Sequence, residues 1–144
     1  MTLPLCRDID PDDAARLVRS FEEGSLEVES FHHRQHLTVA AWLLETSPYE
    51  TALDRMRQGL HTLLAKTGKD AYHETITVFW MRALAHRLAA CTSRPASVRV
   101  GEVVAWAETA QPLKAHYTAA RLALPEARRQ FVEPDLEPLP DTDR

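Results

Sequence analysis

Apolar residues recur every three to four positions through most of the chain, a spacing that predicts helices. The first predicted helix spans Asp10 to Gly24, where Asp10 can cap, Pro11 suits the first helical position and Gly24 suits the stop. The second runs from about Ser30 to Thr46 and carries Leu37, Ala40, Leu43 and Leu44. The third opens on Ser47-Pro48-Tyr49-Glu50, which reads as a capping box with proline at its first position. It carries Leu53, Met56, Leu60 and Leu64 and ends near Gly68. The fourth starts near Tyr72, carries Ile76, Phe79, Trp80, Ala83, Leu84 and Leu88, and reaches about Cys91, before Arg94-Pro95.

The last third is less regular. Val100, Val103, Val104 and Ala107 predict a fifth helix closed before Pro112. Leu113 to Leu122 suggests a sixth, and Pro125 opens a short seventh turn. Prolines at 134, 138 and 140 remove backbone donors, so the end of the chain reads as an extended tail that either packs along the body or stays free. The expected fold is all-α: one helical bundle over residues 1–144, with five to six main helices. Residues 1–9 form an N-terminal extension and 133–144 an extended proline-rich C-terminal strap.

Composition narrows the function classes. The chain has four glycines and no Asn-Gly or Asp-Gly turn, which argues against a hairpin-rich β protein. At 144 residues it has the length of one domain and can bury about 70% of its unfolded surface. The apolar share of 44% and charged share of 26% fit a soluble globular protein. A net charge of −4 offers no basic face for nucleic acid. Cys6 and Cys91 are too few and too far apart for a disulfide framework or a thiolate zinc site, so a reducing, cytoplasmic setting is expected. Met1 to Leu5 is too short for a signal sequence, and runs such as Val39 to Leu44 are too short to span a membrane. No glycine-rich phosphate loop or nucleophile elbow is present.

The histidines carry the chemistry. Three fall within Phe31-His32-His33-Arg34-Gln35-His36, and a fourth stands in Tyr72-His73-Glu74-Thr75. On a helical wheel His33, Leu37, Ala40 and Leu44 share the middle of one apolar face, with His36 about 60–80° to one side. Glu29 joins that line if the helix begins early and lies just outside it if Ser30 is the cap. In the fourth helix His73 shares a face with Ile76, Thr77, Trp80, Leu84 and Leu88, while Glu74 points about 100° away. His33, His36, His73 and Glu74 together form a candidate metal set for a divalent ion, zinc with an open position or non-haem iron or manganese. Glu74 and Glu29 are candidate general bases. Tyr72, Thr75 and Thr77 could hydrogen-bond the ligand rings and fix their tautomers, although Thr75 also suits an ordinary first turn.

A plainer reading makes these groups helix caps and hydrogen-bonded core histidines. His32 falls at the edge of the apolar face, His61 and His86 read as solvated, and His116 could add a ligand from the sixth helix. Arg87 calls for a partner such as Glu102 or Glu108, and Trp42, Trp80 and Trp106 read as core or boundary residues.

The pattern Phe31-x-His33-x-x-His36-Leu37, followed by Tyr72-His73-Glu74-Thr75-Ile76-Thr77 and Trp80, resembles a family of small uncharacterised bacterial all-helical proteins. Tyr117, Ala127-Arg128, Phe131-Val132 and Pro134-Asp135-Leu136 extend the resemblance nearly to the end of the chain. It implies that His33, His36, His73 and Glu74 belong together, and that the proline-rich end is a packed strap closing over a site. The function expected first is a small metal-dependent enzyme, using zinc or iron on a small-molecule substrate. The rival is a non-catalytic helical protein that binds a ligand or partner and keeps a buried histidine network. In a third reading the metal only staples the fold. Substrate, reaction and oligomeric state are not encoded in any motif found.

Overall fold

The computed structural model describes residues 9–68, 71–90 and 95–139, the side chain of Ser30 excepted. Cys6, Cys91 and Arg94 fall outside them. The described residues form an all-α bundle with five long helices, α1 (Pro11–Glu23), α2 (His33–Thr46), α3 (Tyr49–Ala65), α4 (Glu74–Ala89) and α5 (Ala96–Ala110). Three short ones follow, α6 (Pro112–His116), α7 (Ala119–Leu122) and α8 (Pro125–Arg129).

Local chemistry sets the ends. The Asp10 carboxylate accepts from the Asp12 N–H at 2.9 Å, and Gly24 closes α1 with φ at 79°, a left-handed conformation that a side chain would strain. Helix α2 starts three residues later than predicted, because Val28–Ser30 forms a 3₁₀ turn. His32 is its cap, and the Gln35 side chain accepts from the His32 N–H at 3.0 Å. The expected box at Ser47 is replaced by Pro48 as the cap of α3, while the Ser47 hydroxyl accepts from Arg55. Helix α4 begins at Glu74, not Tyr72, so His73 is its cap. The predicted sixth helix breaks after His116, because Asp135 takes both the Thr118 N–H (3.0 Å) and its hydroxyl (2.7 Å).

Helix α2 is the hub, packing on α1, α3, α4 and α5. Its buried residues, Leu37 to Ala41 and Leu43, run round most of its circumference. Helix α4 lies between two cores. One side meets the main cluster through Val78, Met81 and Leu84; the other carries Phe79 and Ala83 against Tyr117, Ala127 and Val132. Gly59 in α3 lets α1 approach: a Cβ there would sit 2.1 Å from the ring of fully buried Phe21. Phe21 in turn stacks on Phe31 with centroids 5.4 Å apart, and Phe31 stacks on His36 at 4.1 Å.

The C-terminal strap packs along the body. Thr75, fully buried, donates to the Gln130 carbonyl at 3.0 Å and accepts from the Val132 N–H at 3.1 Å. The Tyr117 hydroxyl donates to the Val132 carbonyl, Arg121 to that of Glu133 and His116 Nδ1 to that of Glu137.

Candidate functional site

A cavity of about 140 Å³ opens among the first turns of α2 and α4 and the middle of α3. Helix α2 lines it with His33, His36, Leu37 and Ala40, and α3 with Met56 and Leu60. Helix α4 completes it with Ile76, Thr77, Trp80 and Met81. Protein interiors rarely leave such a void, and apolar ones of this order take a molecule about the size of benzene. Residues of both motifs, His33 and His36 from the first and Ile76, Thr77 and Trp80 from the second, therefore line one cavity. Among the described residues, none of 133–139 lines this cavity.

The two cavity histidines differ. His33 is exposed and sits at the rim, its ring edge-on to Trp80 with centroids 5.5 Å apart. The wheel placed it mid-face; it is the first residue of α2, at the end of the bundle, where an inward direction no longer means burial. His36, one turn on, is half-buried and held by the Phe21–Phe31–His36 stack. Burial pushes its pKa down to about 4, the charge of His33 pushes the same way, and a hydrogen bond to the Phe31 backbone opposes both. At neutral pH His36 is an uncharged imidazole, with one nitrogen donating and the other presenting a lone pair.

His73 does not join them. As the cap of α4 it has extended backbone, and its Nδ1 accepts from the Ile76 N–H at 3.2 Å. Its Nε2 donates to the Leu122 carbonyl at 2.8 Å. Both nitrogens are committed, which fixes the tautomer and leaves no lone pair for an ion. The wheel failed here because residue 73 lies outside the helix.

Glu74 is likewise engaged. Arg57 binds it through Nε and Nη2, the latter at 2.6 Å, and the Tyr72 hydroxyl donates to it at 2.6 Å. With 15% of its side chain exposed, it is the anion of a half-buried ion pair rather than a free base. Burial, then the Glu74 carboxylate, pushes the Tyr72 hydroxyl up to about 12. Glu29 is exposed in the 3₁₀ turn and lines no part of the cavity. Among the described residues no group of three His, Cys, Asp or Glu side chains is close enough to hold one ion.

The remaining candidates have structural partners. His61 stacks on Tyr72 at 4.1 Å, and His116 binds the strap. Arg87 lies over the Trp106 ring at 4.4 Å, while Glu108 pairs with Arg34. Met56 and Leu60 were legible only as core positions and Met81 was not singled out; which of many apolar residues border a void depends on how three helices cross. Thr77 was foreseen as a hydrogen-bonding neighbour of the histidines and is a cavity wall whose hydroxyl donates to the His73 carbonyl at 2.9 Å.

No helix among the described residues is long and apolar enough to cross a membrane. No protein-family model, curated protein or solved structure matches this chain, so the case for its function rests on the cavity and the residues around it.

Proposed function

We propose that the protein binds a small, mainly apolar molecule in the cavity between α2, α3 and α4. The observation that carries this reading is an apolar void of about 140 Å³ with an uncharged imidazole, His36, in its wall. Apolar walls supply affinity, and a few placed polar groups supply orientation. Titration with benzene, toluene and phenol tests it, followed by tryptophan fluorescence and by the rise in melting temperature that ligand binding produces. Saturable one-to-one binding is expected, lost in Ala40→Leu, which fills the space while the helix content stays. Binding that is absent for every probe, or untouched by Ala40→Leu, overturns the reading.

A second reading, a divalent metal site serving an enzyme, draws support from His33 and His36 facing one cavity a single turn apart. Two imidazoles fall one short of the three protein ligands that catalytic zinc usually takes. Metal analysis of the purified protein separates the two: near-stoichiometric zinc or iron that is lost in His33→Ala favours this second reading.

A further inference from the structure

We propose that the cavity holds one soft monovalent metal ion, copper(I) or silver(I), between the imidazoles of His33 and His36 and the thioethers of Met56 and Met81. The inference concerns the same space as the two readings above and depends on neither. It comes from the ligand atoms the wall supplies and the charges it lacks.

The chain has three methionines, and the two beyond Met1 both line this cavity, one from α3 and one from α4. His33 and His36 reach it from α2, three residues apart and so on one side of that helix. Three helices thus bring two imidazoles and two thioethers to one wall. Methionine is often a filler of irregular core gaps. Here both internal methionines border a space that is left open. Thioethers are soft ligands that select copper(I), whereas zinc is held by thiolate, imidazole and carboxylate. The two histidines alone are too few for catalytic zinc, but the sulfurs complete a set for a softer ion.

Charge points the same way. Among the described residues no Asp, Glu, Lys or Arg borders the cavity. A divalent ion would carry two uncompensated charges into an apolar enclosure. Its desolvation cost rises with the square of the charge, about fourfold over a monovalent ion of the same size. Trp80 adds an indole to the wall, the ring whose face attracts a cation best. Met56 and Met81 are buried, His36 is half-buried and His33 is exposed, so an ion entering from the rim meets His33 first and the sulfurs last. At about 140 Å³ the space exceeds what one ion fills, so the ligands must close in on it. Methionine, unbranched and with three rotatable bonds, is the side chain suited to that.

Silver(I), which needs no reductant, is the probe. Thiolates take the same ions, so the full chain carries Cys6→Ser and Cys91→Ser. With carbon-13 in the methionine methyl groups, an equimolar amount of silver nitrate is expected to shift the Met56 and Met81 signals and leave that of Met1 in place. An equal amount of zinc should move neither. Met56→Leu, Met81→Leu and His33→Ala, each checked for helix content by circular dichroism, should each weaken silver binding at least about tenfold, because losing even a group that only orients a ligand costs roughly 10–100-fold in metal affinity. If a leucine variant fails to fold, the methyl shifts decide, and the wild-type chain given silver in excess of its two cysteines should show the same shifts. Unmoved Met56 and Met81 signals, silver affinity unchanged in both leucine variants, or zinc bound as tightly as silver would each overturn the inference. Toluene binding without silver binding ends this inference and leaves the apolar reading standing. Silver binding without any arene does the reverse.

Discussion

The two motif histidines that looked alike in sequence do different work, and the difference is one of backbone position. His73 is outside α4 and bonds its own helix end and the Leu122 carbonyl; His36 is inside α2 and faces the cavity. His73→Ala removes a cap and a bond between α4 and α7, so a loss of about 1–3 kcal/mol is expected in urea unfolding. His73→Asn should recover part of that loss, because asparagine caps as well and cannot replace the longer reach to Leu122. Binding of phenol should survive His73→Ala; its disappearance in a folded variant would put His73 back into the site. The sequence offered both roles for this residue, ligand and cap, and the structure shows the cap. What it lacked was the helix boundary, misplaced by two residues. That shift turned a cap into an inward face.

At the scale of elements, the bundle depends on two close contacts that no periodicity advertised. Gly59 has no side chain because Phe21 occupies that space. Gly59→Ala would gain helix propensity, up to about 1 kcal/mol, but must displace a fully buried ring, which costs about 1–3 kcal/mol. Net destabilisation is expected, and because Phe21 leans on Phe31 and Phe31 on His36, phenol affinity should fall too. An alanine variant with unchanged unfolding midpoint and affinity would show that the stack does not transmit. Thr75 is the second contact. Thr75→Val keeps the shape, strands the Val132 N–H and Gln130 carbonyl, and should cost about 1–3 kcal/mol. The strap after Phe131 should then become accessible to protease while the cavity still binds its probe. Capping by Asp10 and Gly24 was legible because both ends are determined by neighbours in sequence. The break at Thr118 was not, because its cause, Asp135, is 17 residues away in the chain.

For the molecule as a whole, the all-α architecture followed from spacing alone, whereas the site followed only in part. His33 and His36 reached the cavity, and Glu29, His73 and Glu74 did not. Helical period reports direction around an axis and says nothing about height along it, nor about which partners claim a charged group. Folded His36 holds its proton more weakly than the unfolded chain does, with a pKa near 4 against 6.5. Its contribution to stability is therefore whole above pH 6.5 and is lost progressively as the pH falls toward 4. Between pH 7 and 5 the wild type should lose about 1–2 kcal/mol more than His36→Phe in urea unfolding. Parallel curves for the two proteins would show that this imidazole titrates normally. The strap carries a different consequence, for how the chain tolerates change. At Gln130, Val132, Glu133 and Glu137 the helices grip main-chain oxygens, which every amino acid possesses. A saturation library should find the grasping residues, Thr75, Tyr117 and Arg121, intolerant of replacement, and positions 133 and 137 open to almost any residue.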